Sequence, residues 1–367
     1  MNSYTLTQLL TDKSALEQSR ITRTEQNAAL AEGEVLLKIR RCAITTNNIT
    51  YAAFGDSMQY WQFFPTGIQG WGHMPVWGFA DVVASAADGV AVGERFYGYF
   101  PIASHIRMVA ERVTKRGFYD GSEHRRVLVS AYNQYTRCSA DPVYTEKLEN
   151  YQMLVRPLFI TSFMLADFLQ DNAFFGARRL VVSSASSKTA YGTAFCLRDY
   201  PQVELVALTS ERNRGFVEGL GCYQKTVSYE ELAGQPADQP TMYVDFSGDV
   251  ALRARIHHHY GEALVYDCFA GSAQNTDVPS EAELPGPKPA FYFAPVQIRK
   301  RNADWGPDVV NQRFNASQSS FIQHISDPQH LWMKVVEEQG FAAAQTLIRN
   351  LHDGKVNPQQ GCVIRLD

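Results

Sequence analysis

The chain has 367 residues, of which 45% are hydrophobic and 20% charged, and its formal net charge is -4. That length exceeds what one hydrophobic core usually supports, so two domains are expected, and the composition supplies apolar side chains for both. No basic excess exists to neutralise phosphates, which argues against nucleic-acid binding; the short runs Arg125-Arg126 and Arg299-Lys300-Arg301 read as solvated surface.

In chain order, residues 1–30 are polar and helix-compatible, and the first six show no basic segment leading into an apolar core, so no signal peptide is expected. Residues 34–41 read as a strand after a turn at Gly33. Residues 42–56 are irregular and polar. Residues 57–75, rich in aromatics, Gly and Pro, read as a long loop, a kind of segment that often carries function. Short strands follow at 76–85, 95–101 and 104–110, with a turn at Gly89 to Gly93, so 31–112 forms a β-rich unit. Residues 113–150 are polar and irregular.

At Pro157 the pattern changes. Helix-periodic apolar residues cover 158–169, then a strand at 180–183, a helix at 189–197, a strand at 203–209 and a helix at 213–220 closed by Gly221. Strands at 242–246 and 263–267 flank a helix at 250–259. Strands alternating with helices build a parallel sheet with right-handed crossovers, so 151–290 is expected to be a doubly wound α/β domain. The segment 291–367 holds a strand-like run at 291–294 and one amphipathic helix near 328–352, with a return to the first domain as one option.

No stretch approaches the ~20 apolar residues of a membrane span, so a soluble, cytoplasmic protein without membrane partners is expected. The six cysteines, at 42, 138, 196, 222, 268 and 362, show no CxxC spacing and read as small buried residues. The consecutive His257, His258 and His259 point apart on a helix, so no metal site is expected there. No Gly-x-Ser-x-Gly elbow is present.

Four segments carry a resemblance. Glu34-Val35-Leu36-Leu37-Lys38-Ile39, the run from Ala43 to Asn48 followed by Gly55, Pro75 to Val83, and Val92-Gly93-Glu94-Arg95-Phe96-Tyr97-Gly98 occur in the order and spacing of the medium-chain dehydrogenase/reductase family. The chain resembles its quinone and enoyl reductase branches, as a divergent member. The resemblance implies a GroES-like β-barrel over 1–150, a Rossmann domain over 151–290, a cleft between them, often a homodimer, and a small-molecule substrate. The zinc-bearing members place Cys in the first loop and His-Glu after the glycine. Here Thr45 stands at the Cys position, Phe79 and Ala80 follow Gly78, and His73 is out of register. These residues cannot supply the ligands of a catalytic zinc, so zinc-independent hydride transfer to an activated C=C or C=O is expected.

The cofactor loop of this fold falls on Val182 to Gly192, which lacks Gly-x-Gly-x-x-Gly. Ser184, Ser186, Ser187, Lys188 and Thr189 are candidate phosphate contacts at a helix N-terminus. The competing reading is a serine-capped helix on a domain without a ligand. After the next strand, Ser210 and Arg212, with Arg214 beside them, suit the 2′-phosphate of NADP, while Glu211 would suit NAD. Ser247, Phe269 and Gly271 lie at strand ends where ribose and nicotinamide are expected; ordinary strand-to-helix turns are the alternative. Tyr51 and Asn48 are candidate catalytic residues, since a phenol can donate to a developing enolate or alkoxide, with Tyr60 as competitor. The aromatic segment 57–77 implies an apolar or aromatic substrate. The rival functions are a non-catalytic scaffold or ligand sensor, and an enzyme that keeps the dinucleotide as a structural group.

Overall fold

The computed structural model describes residues 3–271 and 284–366. They form two compact units, one of Met1–Leu154 with Val335–Asp367 and one of Val155–Lys334.

The first unit opens with a long antiparallel hairpin, β1 (Ser3–Asp12) and β2 (Ala15–Asn27), where the sequence suggested a helix-compatible segment. Five threonines along the two strands favour extended backbone, and the Asp12 carboxylate turns the chain by accepting the Ser14 N–H at 2.8 Å. The polarity that suggested otherwise belongs to a ribbon with an exposed face. Next come β3 (Glu34–Ala43) and α1 (Thr46–Ala53), a helix inside the stretch read as irregular. The strands β4 (Trp71–Gly72), β5 (Pro75–Ser85), β6 (Arg95–Pro101), β7 (His105–Thr114), β8 (Gly117–Asp120) and β9 (Gln134–Arg137) complete this part. The last two occupy a segment expected to be irregular.

The pairing order β3-β5-β6-β9-β8-β7 closes when β7 returns to β3, which makes a six-stranded barrel. Val35, Leu37, Ile39, Val82, Phe96, Phe100 and Phe118 fill its core. The segment 57–75 is buried in part. A 3-10 turn at Tyr60–Phe63 buries Tyr60, Trp61 and Phe63. Trp61 lies between Gly55 and Gly72, and a Cβ on either glycine would fall inside the indole.

The helix α2 (Glu149–Asp171) begins well before its expected start and runs through Pro157, held by buried Met153, Leu154 and Val155. It corrects the expectation that no stretch is long and apolar enough to cross a membrane. By length and composition it is, but 56% of its apolar window is buried inside the protein, the character of a core helix.

The second unit then alternates strands with helices as far as β12, and again from β13 to β14. It runs β10 (Arg179–Val182), α3 (Lys188–Leu197), β11 (Glu204–Thr209), α4 (Arg214–Leu220), β12 (Lys225–Ser228), β13 (Thr241–Asp245), α5 (Val250–Tyr260), β14 (Leu264–Phe269) and β15 (Ala290–Phe291). The sheet is parallel, in the spatial order β12-β11-β10-β13-β14-β15. Counted along this unit, that is the 3-2-1-4-5-6 order of the doubly wound nucleotide-binding fold.

The segment from 291 onward divides between the units. α6 (Ala294–Trp305) and α7 (Pro307–Ser326) belong to the second, and neither helix was legible beforehand. Each carries a proline in its first turn, where the missing N–H costs nothing. The helix expected near 328–352 resolves into β16 (Lys334–Gln339) and α8 (Phe341–His352), parted by Gly340 at φ 89°. β17 (Gln360–Arg365) pairs antiparallel with β3, next to the barrel.

Gly55→Ala is expected to lower stability by about 1–3 kcal/mol, because Trp61 must leave its rotamer or the turn must open. Thermal unfolding of the purified protein checks this; an unchanged midpoint would mean that the indole does not need that space.

Candidate functional site

Strands β10 and β13 are spatial neighbours whose following connections lead to opposite sides of the sheet order. Their carboxyl ends are therefore the topological switch point, where ligands of this fold bind. The turn after β10 is built from serines. Ser184 takes φ 48°, a left-handed conformation that glycine would adopt without strain. Its N–H donates to the Tyr229 hydroxyl at 3.1 Å, and its carbonyl accepts the Ser187 N–H at 2.8 Å. Ser187 caps α3 by accepting the Ala190 N–H at 3.3 Å. The Ser186 hydroxyl accepts from the Asn213 amide at 3.2 Å. Ser184, Ser186, Ser187, Lys188 and Thr189 are all half-buried around the first turn of α3, so the fold brings these five candidates together at a helix N-terminus.

Beneath this turn lies a buried charge cluster that the sequence did not reveal. One carboxylate oxygen of Asp245 accepts from the Ser183 hydroxyl (2.9 Å), the Ser247 N–H (2.8 Å), the Ser247 hydroxyl (2.8 Å) and the Gly248 N–H (3.0 Å). Its other oxygen pairs with Arg253. Arg253 Nε stands 3.4 Å from Asp267 Oδ2, and the same oxygen meets His257 Nε2 at 2.8 Å. His257 Nδ1 faces the Pro285 carbonyl at 2.8 Å. Asp245, Asp267 and His257 are wholly buried, and Arg253 is 1% exposed. Burial pushes the Asp267 carboxyl up, against the pull of His257 and Arg253. The available signal was the spacing Arg253/His257, one helical turn apart on α5, which aims both at the sheet. Of the three histidines, His257 is buried, His259 half-buried and His258 exposed.

Ser247 is consumed by this arrangement. Its hydroxyl donates to Asp245 and accepts the Asp249 N–H at 3.1 Å, which is the turn role left open for it. Phe269 ends β14 with Arg253 stacked 4.7 Å from its ring centroid, and Gly271 follows, both half-buried. At the end of β11, Glu211 binds Arg214 at 3.0 Å, and Arg214 also binds Glu231. Ser210 is half-buried, while Arg212 is exposed and unengaged by hydrogen bonds or ion pairs among the described residues.

In the first unit, phenols from four places meet. The ring of Tyr51 on α1 lies 4.7 Å from Tyr60, 5.6 Å from Tyr99 and 6.1 Å from Tyr132. Trp77 Nε1 donates to the Tyr51 hydroxyl at 3.4 Å, and the hydroxyls of Tyr60 and Tyr132 are 3.3 Å apart. Burial raises the Tyr51 pKa, opposed by hydrogen bonds from Trp77, Asn47 and Tyr132. Burial pushes Tyr60 up to about 12. The two competing tyrosines thus belong to one cluster. Asn48 does not join it. Its amide accepts the Thr45 N–H at 2.7 Å and donates to the Pro75 carbonyl at 2.8 Å, which anchors the start of α1. Phe79 and Ala80 are buried in the barrel wall. Burial holds His73 down at about 4, and its Nε2 meets the Gln8 amide at 3.2 Å.

A family model described as "Protein of unknown function (DUF2855)" matches residues 42–357. The chain belongs to the DUF2855 family. No curated protein matches it in sequence. Among solved structures, CurA of Vibrio vulnificus in complex with NADPH is similar at 13% identity, covering 98% of this chain and 99% of that one with a TM-score of 0.62. The yhdH oxidoreductase of Salmonella enterica in complex with NADP is similar at 13% identity, covering 99% and 100% with a TM-score of 0.57. The quinone oxidoreductase of Coxiella burnetii gives 12%, 99%, 100% and 0.51 in the same terms. These likenesses run the length of each chain. The DUF2855 protein therefore has the medium-chain dehydrogenase/reductase fold, with a GroES-like barrel and a Rossmann sheet, at a divergent sequence.

In this DUF2855 protein the Asp245 cluster holds its charges fully buried. Asp245→Asn leaves Arg253 buried without its carboxylate and is expected to cost about 3–5 kcal/mol. Adding Arg253→Met removes the orphaned guanidinium but leaves Asp267 with His257 alone, so it should recover part of that loss. Urea denaturation of the single and double variants decides the point, and equal stabilities of the two would refute the pairing.

Proposed function

We propose that this DUF2855 protein is a zinc-independent, NADPH-dependent reductase that adds hydride to an activated C=C or C=O of a small, apolar or aromatic substrate. The observation that carries the reading is the serine turn and α3 N-terminus at the switch point of a 3-2-1-4-5-6 sheet. The likeness to CurA solved with NADPH and yhdH solved with NADP supports the choice of cofactor. The second unit acts as the nucleotide-binding domain and the first as the catalytic domain. Six free cysteines suit a reducing, cytoplasmic compartment.

The residues fit such a group. The side chains at 184, 186 and 187 are serines around the first turn of α3, and Lys188 stands at its first position. Ser184, Ser186, Ser187, Lys188 and Thr189 would hold the pyrophosphate. Ser210 and Arg212 would hold the 2′-phosphate; Glu211, the residue that favours NAD, is already drawn to Arg214. Phe269 and Gly271 would flank the nicotinamide end. When bound, the reduced dinucleotide supplies the hydride. Tyr51 holds the proton that the developing enolate or alkoxide requires. Thr45, Phe79 and Ala80 offer no ligand set for a catalytic zinc, so charge in the transition state falls to hydrogen-bond donors.

One observation favours the scaffold or sensor reading. The N–H groups of Ser183, Ser184, Ala185 and Ser187 are already paired within the protein, so the turn offers a phosphate few backbone donors. Calorimetry with NADPH and NADH separates the two. NADPH should bind more tightly than NADH. Arg212→Ala should weaken NADPH about tenfold or more and leave NADH unchanged, the loss of one charge-assisted contact. Lys188→Ala should weaken both. Absence of binding by either dinucleotide would sink the reductase and leave the scaffold.

A further inference from the structure

Both ring nitrogens of His257 face acceptors. Nδ1 lies 2.8 Å from the Pro285 carbonyl oxygen, and Nε2 lies 2.8 Å from Asp267 Oδ2. A neutral imidazole has one N–H and one lone pair, and neither a carbonyl nor a carboxylate oxygen can donate. With a single proton, one ring nitrogen would press its lone pair against that of an oxygen. Two protons satisfy both contacts: one on Nδ1, and one between Nε2 and Oδ2 that belongs to the pair whichever atom holds it. Charge balance asks for the same. Two ionised carboxylates, Asp245 and Asp267, against the one guanidinium of Arg253 leave an excess negative charge in a wholly buried place, and the second proton cancels it. Burial keeps Tyr243 and Cys268, which also feel the two carboxylates, in their neutral protonated forms. On α5 itself, His259 packs on the Tyr260 ring and His258 is exposed. The charges on the segments around α5, Glu230, Glu231, Glu262 and Lys288, are exposed as well.

From this geometry we infer that His257 and Asp267 form a proton-operated clamp: the pair holds two protons in the folded protein, and the one on Nδ1 fastens the segment entering β15 to α5 and β14. Pro285 precedes β15, which itself pairs with β14 only at Ala290 and Phe291. Little else in the ladder holds this edge strand. The approach is close: Gly286 takes φ 87°, and a Cβ there would stand 3.3 Å from the Gly261 carbonyl oxygen at the end of α5. Loss of one proton leaves one of the two contacts without a bridging hydrogen and returns the uncompensated charge to the interior. The clamp bears on β14, the strand that ends at Phe269, and it stands without the reductase reading.

The protons can be counted in the unaltered full chain. Proton NMR at neutral pH should show two exchange-protected downfield resonances from the His257 ring, both absent from His257→Gln. A single such resonance overturns the inference. The fastening is read by hydrogen exchange. His257→Gln cannot bridge both acceptors, so the amides of 286–292 should exchange about tenfold faster or more while those of α2 keep their rates. Unchanged exchange at 286–292 removes the clamp. Proton linkage supplies the third reading. The unfolded chain releases the second proton near the ordinary imidazole value, about 6.5, and the folded pair keeps it. The stability it contributes is therefore complete below that value and is lost as pH rises. In Asp267→Asn the amide N–H serves Nε2 and the second proton is not needed. In urea denaturation above neutral pH, the folding constant of the natural sequence should fall, relative to Asp267→Asn, by up to about tenfold per pH unit. Parallel pH profiles for the two proteins refute the extra proton.

Discussion

Four donors converge on one oxygen of Asp245, and the geometry of the second unit's candidate site follows from that convergence. A carboxylate is costly to bury without a counter-charge, and Arg253 supplies one. Arg253 brings a second carboxylate, Asp267, and Asp267 brings His257. Arg253 Nε and Nη1 and Asp267 Oδ1 still lack a hydrogen-bond partner among the described residues. The cluster ties the end of β10, through Ser183, to the end of β13, and ties both to α5. The serine turn and Phe269 take their places from this frame. Ser184 can hold a left-handed φ because the turn is fixed by side-chain hydrogen bonds, where a glycine-rich loop would rely on backbone freedom.

The first unit answers a different constraint. Barrel closure through β7 and β3 leaves α1 and the 57–75 segment to pack on strands whose outward residues are aromatic. Trp61 wedged between two glycines sets the path of that segment and so delivers Tyr60 and Phe63 beside Tyr51 and Tyr99. The cluster of hydroxyls is thus a product of close packing. Aromatic rings at 4.7–6.1 Å from Tyr51 leave its oxygen few orientations, the preorganisation that the proposed proton donor would need.

Much of the fold was legible in the sequence, and the exceptions share a cause. Strands such as β5, β6, β10 and β11 show as alternating or continuous apolar runs because their faces are buried. The β1-β2 hairpin is Thr-rich and polar since its ribbon is largely exposed, and α6 is a polar helix; in both, periodicity carries little signal. At the site, Ser184 to Thr189 could be named because they are contiguous and sit where the strand-helix pattern puts them. The Asp245 cluster could not, because Ser183 and Asp245 are 62 positions apart and only the parallel sheet joins them. Asn48 has a structural use that the sequence did not reveal. Polar residues in a first loop suggest chemistry, yet a helix start also needs a cap, and the cap took the amide.

The serine turn and the Asp245 nest together set how strongly an anion can be held. Backbone N–H groups at a strand end are the usual donors to a pyrophosphate. Here those of Ser247 and Gly248 serve Asp245, and that of Ser184 serves Tyr229. What is left for an anion at this end of the sheet is the first turn of α3, worth about 0.3–1 kcal/mol as a dipole, and the side chains that can reach it. Affinity must then come from hydroxyls and cations, which are more sensitive to salt than a backbone cradle is. Under the reductase reading, a cofactor with one additional phosphate would gain from such a surface through Arg212, an exposed cation after β11 that has no hydrogen bond or ion pair among the described residues.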